Sequence, residues 1–240
     1  MEKIITYDNL RYFAYVNDKI CEMPIKGIVI SFFGLGNMTM FGEDMFEGKY
    51  YAEKGILYVV PYNNPWAWQN KQSVGYTDEI IDVLIDKYNL SDSIPIVSTG
   101  GSMGGLAALT YMCYAKRTPI ACCANCPVCD LPYHYTERPD LPRTLYSAFY
   151  NYDMTLDKAL ESASPYHLAD KMPVADYFIY HCDADKLVNK EMHSDRFVEL
   201  LSKSRSVEYH VINGRGHCDL TEDMHEHFRA SAVNSIYKRI

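Results

Sequence analysis

Six short apolar runs recur along the chain, and most of them are continuously hydrophobic rather than alternating with polar residues. They lie at residues 25–33, 55–62, 94–99, 119–124, 174–182 and 207–212. Continuous runs of this length are typical of strands that are buried on both faces of a parallel sheet. Helical patterns separate or follow these runs, at residues 77–88, 104–114, 189–202 and 222–239. The alternation predicts an α/β fold with a mostly parallel sheet of about eight strands and helices on both faces.

Two regions depart from this alternation. Residues 12–16 and 19–23 read as a short hairpin, which we expect at an antiparallel edge of the sheet. Residues 130–171 are rich in proline and aromatic side chains, and they follow the sixth predicted strand. We expect this segment to form a small cap, or lid, over a site at the sheet edge. No linker or repeat divides residues 1–240, so we expect a single domain.

A glycine-rich turn with one serine joins the apolar run at residues 94–97 to the helical segment at 106–112. Residues 100–104 read Gly-Gly-Ser-Met-Gly and match the pattern G-x-S-x-G, with Ser102 in the middle. A serine on a sharp turn between strand and helix lies in a strained backbone conformation, and flanking glycines let neighbouring segments approach it. The pattern predicts a nucleophile elbow, although an ordinary glycine-rich turn would have the same residues.

A serine nucleophile needs a base within hydrogen-bond distance, and that base needs a carboxylate to fix its tautomer. In open α/β sheets such partners lie on loops at the carboxyl ends of later strands. His217 follows the run at 207–212 within a Gly-Arg-Gly-His segment, which makes it the candidate base. Asp183 and Asp185 both follow the run at 174–182, and the residues alone leave the choice between them open. The order Ser, Asp, His is that of an α/β-hydrolase triad.

Acyl transfer also needs an oxyanion hole, because negative charge develops on the carbonyl oxygen. Met103 directly follows the serine and offers one backbone N–H. The glycine-rich turn after the first core strand, Phe-Gly-Leu-Gly at 33–36, offers a second. We predict the N–H groups of Leu35 and Met103 as the two donors.

These motifs resemble the α/β-hydrolase superfamily over nearly the whole chain, and several are similar to the catalytic domain of prolyl oligopeptidase-type serine peptidases and related small esterases. The matching segments are residues 100–105, Cys-Pro-Val-Cys-Asp at 126–130, Ser-Pro at 164–165, residues 181–188 and Gly-Arg-Gly-His at 214–217. Residues 181–188 resemble H-G-x-x-D-x-x-V, in which the aspartate before x-x-V is the acid. The resemblance therefore implies Asp185 rather than Asp183, in a triad with Ser102 and His217.

The sequence departs from this family pattern in three places. Phe33 stands where many members carry histidine before the oxyanion glycine, and Cys182 replaces the usual glycine of the acid motif. About 25 residues precede the first core strand, which leaves no room there for the propeller domain of the large peptidases. We expect this difference to favour a small carboxylesterase over a peptidase.

The aromatic side chains near the expected site suggest what it binds. Trp66, Tyr135 and Phe149 are the candidate substrate-binding residues, because aromatic walls with a few polar groups suit a small ester. The function predicted is a serine hydrolase that cleaves a small ester or amide through an acyl-enzyme intermediate. Two alternatives stay open: a peptidase that acts on short peptides, and a non-catalytic hydrolase fold that binds a ligand.

Charge and cysteine content limit the partners. The net charge of −8 and the lack of basic runs argue against nucleic acid or a membrane as a partner. The N-terminus shows no signal-peptide pattern, so we expect a cytoplasmic protein whose eight cysteines are thiols. Four of them, Cys122, Cys123, Cys126 and Cys129, lie in one segment that resembles part of an iron–sulfur ligand run. We favour a buried strand instead, and expect no cofactor and no metal.

Overall fold

The sheet dominates the fold and sets the position of the loops around Ser102. The structure is a computed structural model that describes residues 4–240; Met1 to Lys3, on which the argument against a signal peptide partly depends, lie outside the described residues. Seven strands follow the order β1-β3-β2-β4-β5-β6-β7 in that part of the chain. They are β1 (Ala14–Val16), β2 (Gly27–Phe32), β3 (Ile56–Pro61), β4 (Ile96–Gly101), β5 (Ala121–Asn125), β6 (Asp176–Cys182) and β7 (Ser206–Ile212). Only β1 among these pairs antiparallel, with β3.

Helices cover both faces of the sheet, as the continuous apolar runs predict. They are α1 (Phe46–Ala52), α2 (Lys71–Tyr88), α3 (Met103–Tyr114), α4 (Leu131–Glu137), α5 (Leu141–Phe149), α6 (Leu156–Ser162), α7 (Pro165–Leu168), α8 (Arg196–Leu201) and α9 (Glu222–Tyr237). Ile28 and Ile30 of β2 pack in one core with α2, α3 and α8. Val29, between them, packs in a second core with α1 and α9. Successive strand residues point to opposite faces, so a strand covered on both sides must be apolar throughout.

The helix ends follow local capping rules. Helix α2 begins after Asn70, whose side chain accepts a hydrogen bond from the N–H of Ser73, 3.1 Å away. It ends at Asn89, which adopts the left-handed conformation with φ 49°. Both are typical helix signals, so this helix extends six residues before the predicted start at residue 77. Residues 189–202 are less regular than predicted, because a π-helical turn at Glu191–Asp195 precedes α8. No helix within residues 4–240 combines the length and apolar character needed to span a membrane.

The predicted hairpin is wrong in its second half, because residues 19–23 form no strand. The backbone N–H of Tyr58, on β3, is taken by the side chain of Asn17 at 2.8 Å. The amide of Asn17 also donates to the carbonyls of Gly48 and Ile56, at 2.8 and 3.1 Å. This buried side chain ends β1 and directs the chain away from the sheet edge. The described sheet therefore has seven strands rather than about eight, and the cap segment follows the fifth strand rather than the sixth.

The helices α4 to α7 lie in one insert, residues 126–175, between β5 and β6. The insert has an apolar core of its own, which includes Leu131, Leu141 and Phe149. Met103 and Leu106, at the start of α3, belong to the same core. The insert is thus packed directly against the helix that follows Ser102, at the carboxyl edge of the sheet.

Candidate active site

Ser102 occupies the single position between β4 and α3. Its backbone has φ 59° and ψ −126°, in the left-handed half of the backbone map. A residue with a side chain held there costs about 1–3 kcal/mol, so the surrounding structure must enforce the conformation. The N–H of Ser102 donates to the carbonyl of Asn125 on β5 at 2.9 Å, and its carbonyl accepts from Leu106 at 3.1 Å. These bonds fix the turn from both sides.

Two glycines of the turn are required by backbone packing. A Cβ atom on Gly100 would lie 2.3 Å from the carbonyl oxygen of Gly104. A Cβ atom on Gly104 would lie 2.1 Å from the carbonyl oxygen of Phe32 on the neighbouring strand. Neither contact can be relieved by moving a side chain, because the obstacle is backbone. The G-x-S-x-G pattern therefore reflects the close approach of β2, β4 and α3 around Ser102.

The loops after β6 and β7 bring Asp185 and His217 together. His217 Nδ1 lies 2.6 Å from Asp185 Oδ2, and the side chain of Asp185 is fully buried. The other carboxylate oxygen of Asp185 accepts the N–H groups of Leu187 and Val188, at 2.8 and 3.1 Å. When the imidazole is neutral, the carboxylate therefore holds its proton on Nδ1 and leaves the lone pair on Nε2.

The charges of this pair stabilise each other. Burial alone would raise the pKa of Asp185, but the hydrogen bonds that it accepts outweigh burial and hold its pKa far below the usual range. Burial opposes a charge on His217 as well, yet the hydrogen bond with Asp185 raises the pKa of His217 to about 9. Asp185 is thus a permanent anion that favours a proton on the imidazole.

Asp183, the rival acid, serves a different purpose. Its Oδ1 accepts the N–H of Gly214 at 2.6 Å, and the side chain lies at the exposed end of the loop. Its hydrogen bond joins the loops after β6 and β7, while Asp185 contacts the imidazole. The geometry favours Asp185 over Asp183 as the orienting carboxylate.

His181 supports the acid loop, a role that the sequence analysis did not assign. This residue is fully buried on β6, and its Nδ1 lies 2.6 Å from Ser194 Oγ. Its Nε2 lies 3.1 Å from the carbonyl of Val188 and 3.4 Å from Asp185 Oδ2. It therefore ties both ends of residues 182–188 together. The position of His181 four residues before Asp185 was the available signal, but the spacing does not show which groups the ring bonds.

The far side of the His217 ring faces sulfur. Nε2 lies 3.7 Å from Cys218 Sγ, and Cys126 Sγ lies within 4.8 Å of that sulfur and of a nitrogen of the ring. Within residues 4–240, no hydrogen bond of 3.5 Å or less joins Ser102 Oγ to His217. Hydrogen bonds between nucleophile and base are often long before substrate binds. The sequence did not predict Cys126 beside the imidazole. Its backbone has φ 44°, and an apolar run does not indicate such a turn.

The two predicted oxyanion donors belong to segments that adjoin Ser102. Met103 is the first residue of α3, so its N–H has no acceptor within the helix. A Cβ atom built on Gly34 would lie 3.9 Å from Ser102 Cβ, which places the turn that carries Leu35 against the serine. The N–H of Gly36 donates to the carbonyl of Pro65 at 2.9 Å, which joins this turn to the next loop.

The candidate substrate-binding residues are dispersed. Trp66 is 43% exposed and lines a cavity of about 720 Å³ between the β3–α2 loop and α5. Tyr135 is half-buried and packs against the core of the insert. Phe149 is 2% exposed inside that core. Only Trp66 of the three lines this large cavity, and it neighbours Pro65, the partner of the turn beside Ser102.

The four clustered cysteines separate into different packed groups. Cys122 and Cys129 belong to one core, Cys123 to the core on the other face of the sheet, and Cys126 to a small core around Tyr180. Strand alternation accounts for this separation, because Cys122 and Cys123 are neighbours on β5.

Comparisons with known proteins agree with this architecture. The model of the prolyl oligopeptidase family matches residues 66–234, whereas none of the curated proteins compared with the chain matches it. A puromycin hydrolase is 14% identical, with a TM-score of 0.73 over 90% of this chain and 35% of its own length. A puromycin-hydrolyzing peptidase of Mycobacterium tuberculosis is 18% identical, with a TM-score of 0.62 over 90% of this chain and 34% of its own.

A smaller structure is similar over most of both chains. Thermogutta terrifontis esterase 2 is 17% identical, with a TM-score of 0.64, and the match covers 91% of this chain and 86% of the esterase. This chain thus spans about a third of the puromycin-hydrolysing structures but most of the esterase. At these identities the structures show a shared α/β-hydrolase fold. With the family model matching residues 66–234, the chain belongs to the prolyl oligopeptidase family of serine hydrolases.

Proposed function

We propose that this chain is a serine hydrolase that cleaves small esters through a triad of Ser102, Asp185 and His217. The observation that carries the proposal is the 2.6 Å hydrogen bond between His217 Nδ1 and Asp185 Oδ2, at the same sheet edge as a serine held at φ 59°. A solvated histidine or a structural serine needs neither the buried carboxylate nor the strained turn.

The proposed reaction follows from the roles of the three side chains. Ser102 Oγ attacks the acyl carbonyl while its proton passes to His217 Nε2, and Asp185 stabilises the imidazolium. His217 returns the proton to the leaving group as the ester bond breaks. Water then attacks the acyl-enzyme with the same base, which releases the acid and restores Ser102. The N–H groups of Met103 and Leu35 would hold the carbonyl oxygen as it becomes negative.

The cavity lined by Trp66 is the candidate substrate pocket. None of Ser102, Asp185 and His217 is among its described lining residues, but Asn63 and Asn64 line both this cavity and a small one beside Met103. Its walls combine aromatic rings with amide side chains, from Tyr62, Asn63, Trp66, Asn70, Gln72, Tyr76 and Tyr150. Among the described lining residues, Arg143 is the single charged one. A small ester with polar substituents suits such walls better than a fatty acyl chain.

A peptidase that acts on short peptides is the second candidate. It is favoured by the family match over residues 66–234 and by Arg143, whose guanidinium suits a peptide carboxylate. The same triad would cleave either bond, so the substrate pocket decides between the two activities.

A substrate panel tests the proposal. The purified protein is assayed with p-nitrophenyl acetate, butyrate and octanoate beside aminoacyl and dipeptidyl p-nitroanilides, with Ser102→Ala as the control. We expect the acetate and butyrate esters to be cleaved at the highest kcat/KM, with no turnover by Ser102→Ala. Faster cleavage of the anilides would favour the peptidase. Equal rates for wild type and Ser102→Ala would contradict a catalytic Ser102.

A further inference from the structure

Three potential metal ligands meet around the His217 ring. The ligand atoms of Cys126, His217 and Cys218 all lie within 4.8 Å of one another. They come from two loops, after β5 and after β7, and Cys126 and Cys218 both adopt positive φ, at 44° and 57°. A backbone that turns both thiols toward one histidine at some cost in strain suggests a use beyond packing.

The imidazole already has the tautomer that a metal requires. Its Nδ1 proton bonds to Asp185 at 2.6 Å, so the neutral ring has its lone pair on Nε2, the atom that faces the sulfur of Cys218. Metal-binding histidines commonly donate the other N–H to a carboxylate in this way. With Zn–S and Zn–N bonds of about 2.3 and 2.0 Å, sulfur and nitrogen ligands of a tetrahedral ion lie about 3.5 Å apart. The observed separation of 3.7 Å between Nε2 and Cys218 Sγ is close to that value.

Two backbone groups contact the sulfur of Cys126. It accepts the N–H of Cys218 at 3.3 Å and the N–H of Cys182 at 3.4 Å, the kind of outer contact that tunes a metal ligand. The Cys218 thiol and burial nevertheless raise the pKa of Cys126 well above its ordinary value, so the thiol loses its proton only when a cation binds. Cys218 is half-buried and the side chain of His217 is 18% exposed, so an ion can reach the site from solvent.

A second cluster of possible ligands has no ring nitrogen of His193 available for a metal. The ligand atoms of His134, Glu137 and His193 also lie within 4.8 Å of one another. However, His193 Nδ1 accepts the N–H groups of Cys129 and Asp130, both at 3.1 Å. Its proton is therefore on Nε2, the atom that faces Glu137, and no lone pair is free there. This cluster is satisfied by its own hydrogen bonds.

We propose that Cys126, His217 and Cys218 form a binding site for a thiophilic divalent cation of the zinc class, and that the bound ion inhibits the enzyme. The ion takes the Nε2 lone pair that must accept the Ser102 proton, so this inhibition rests on the proposed function. Both thiols and the Nε2 of the imidazolium lose their protons to solvent as two Zn–S bonds and one Zn–N bond form, and water fills the fourth position. The site would make hydrolysis sensitive to free zinc and reversible by a chelator.

Binding is tested apart from activity with Co²⁺, whose bonds to thiolate sulfur give a charge-transfer band in the near ultraviolet. Under reducing, anaerobic conditions, we expect one equivalent of Co²⁺ to give this band in wild type and in Ser102→Ala. Cys21→Ser is the matched control, because Cys21 is also half-buried but lies far along the chain. It should keep the band, while Cys126→Ser and Cys218→Ser should each lose at least half of it. A missing band, or the same band in all variants, would overturn the site.

Inhibition is tested with Zn²⁺ on the hydrolysis of p-nitrophenyl acetate. We expect micromolar Zn²⁺ to slow wild type at least tenfold and EDTA to restore the rate. Cys126→Ser and Cys218→Ser, each compared with its own metal-free rate, should need at least tenfold more Zn²⁺. Unchanged zinc sensitivity in both variants would overturn the inhibitory role. A cobalt band in a protein that cleaves no ester would support the site and contradict the proposed function, so the two failures are distinguishable.

Discussion

Two of the histidine–carboxylate groups differ in the contacts of their ring nitrogens. One joins His217 to Asp185, and the other joins His134 and His193 to Glu137. His217 bonds Asp185 through Nδ1 at 2.6 Å, and its Nε2 has only weak contacts with sulfur. His134 and His193 both bond Glu137, and His193 Nδ1 also accepts two backbone N–H groups at 3.1 Å. In its neutral form, His217 of the first group has a lone pair on Nε2 at the sheet edge. In the second group, both ring nitrogens of His193 are bonded, to Glu137 and to the backbone.

Each group contains a largely buried carboxylate with a lowered pKa, so the carboxylate alone does not distinguish function from packing. Asp185 and Glu137 both have a pKa below the usual range, which for Glu137 is about 2, because the hydrogen bonds that they accept outweigh burial. Burial lowers the pKa of His134, which keeps that ring neutral beside Glu137. The difference lies in the free acceptor atom, and a base needs one. Five substitutions test whether the group of His217 serves catalysis and the group of Glu137 serves stability.

The largest effect is expected for His217→Ala. Removing the base should lower kcat/KM for p-nitrophenyl acetate by roughly 10⁶-fold, because a triad loses nearly all its advantage with its histidine. The matched variant from the second group is His193→Ala. We expect it to have a lower free energy of unfolding and an unchanged kcat/KM. Steady-state kinetics on folded protein, checked by circular dichroism, measures both. A His217→Ala variant within tenfold of wild type would contradict the assigned base.

Asp185→Ala should come next, with a loss of roughly 10⁴-fold in kcat/KM. The imidazole would lose the carboxylate that fixes its tautomer and stabilises its charge. The KM should change little, because Asp185 is buried behind the ring and does not reach substrate. A large rise in KM with unchanged kcat would instead assign this residue to binding.

Glu137→Gln should lower the free energy of unfolding and leave kcat/KM for p-nitrophenyl acetate unchanged. The pKa of Glu137 falls from 4.5 unfolded to about 2 folded, so its contribution is present above pH 4.5 and is lost as pH falls toward 2. That shift corresponds to about 3 kcal/mol of unfolding free energy. Urea unfolding at pH 7 and pH 3 should show wild type approaching the variant in acid. The same gap at both pH values would contradict this account.

The smallest effect is expected for Asp183→Asn. The amide oxygen can still accept the N–H of Gly214, so stability should fall by less than about 1 kcal/mol. Activity should stay within about twofold of wild type, because the residue does not contact His217. A loss comparable to that of Asp185→Ala would reassign the acid.

Much of the fold follows from the apolar pattern, because a strand covered on both faces must be continuously hydrophobic. The six predicted core strands coincide with β2 to β7 to within a few residues at each end. The false strand at 19–23 arose because a single buried amide, that of Asn17, takes up the N–H of Tyr58. A side chain that replaces a strand as the hydrogen-bond partner leaves no periodic pattern of apolar residues in the sequence.

Less of the site could be predicted, because side-chain direction is absent from sequence. The position of Ser102 follows from glycines that close backbone contacts require, and that of His217 from its Gly-Arg-Gly-His segment, in which Gly214 has φ 69° and neither glycine is crowded. The choice of Asp185 needed a family resemblance. The contacts of His181 and Cys126 with the acid and the base depend on loops that turn through specific angles. Phe149 lies in the core of the insert rather than at the cavity, since an apolar side chain serves either place.

The central claim, that Ser102 is activated by His217, is tested most directly by fluorophosphonate labelling followed by peptide mass spectrometry. We expect one adduct per chain on Ser102 in wild type, none in Ser102→Ala, and greatly slowed labelling in His217→Ala. Folded wild-type protein that takes up no label, or a label that persists in Ser102→Ala, would contradict it.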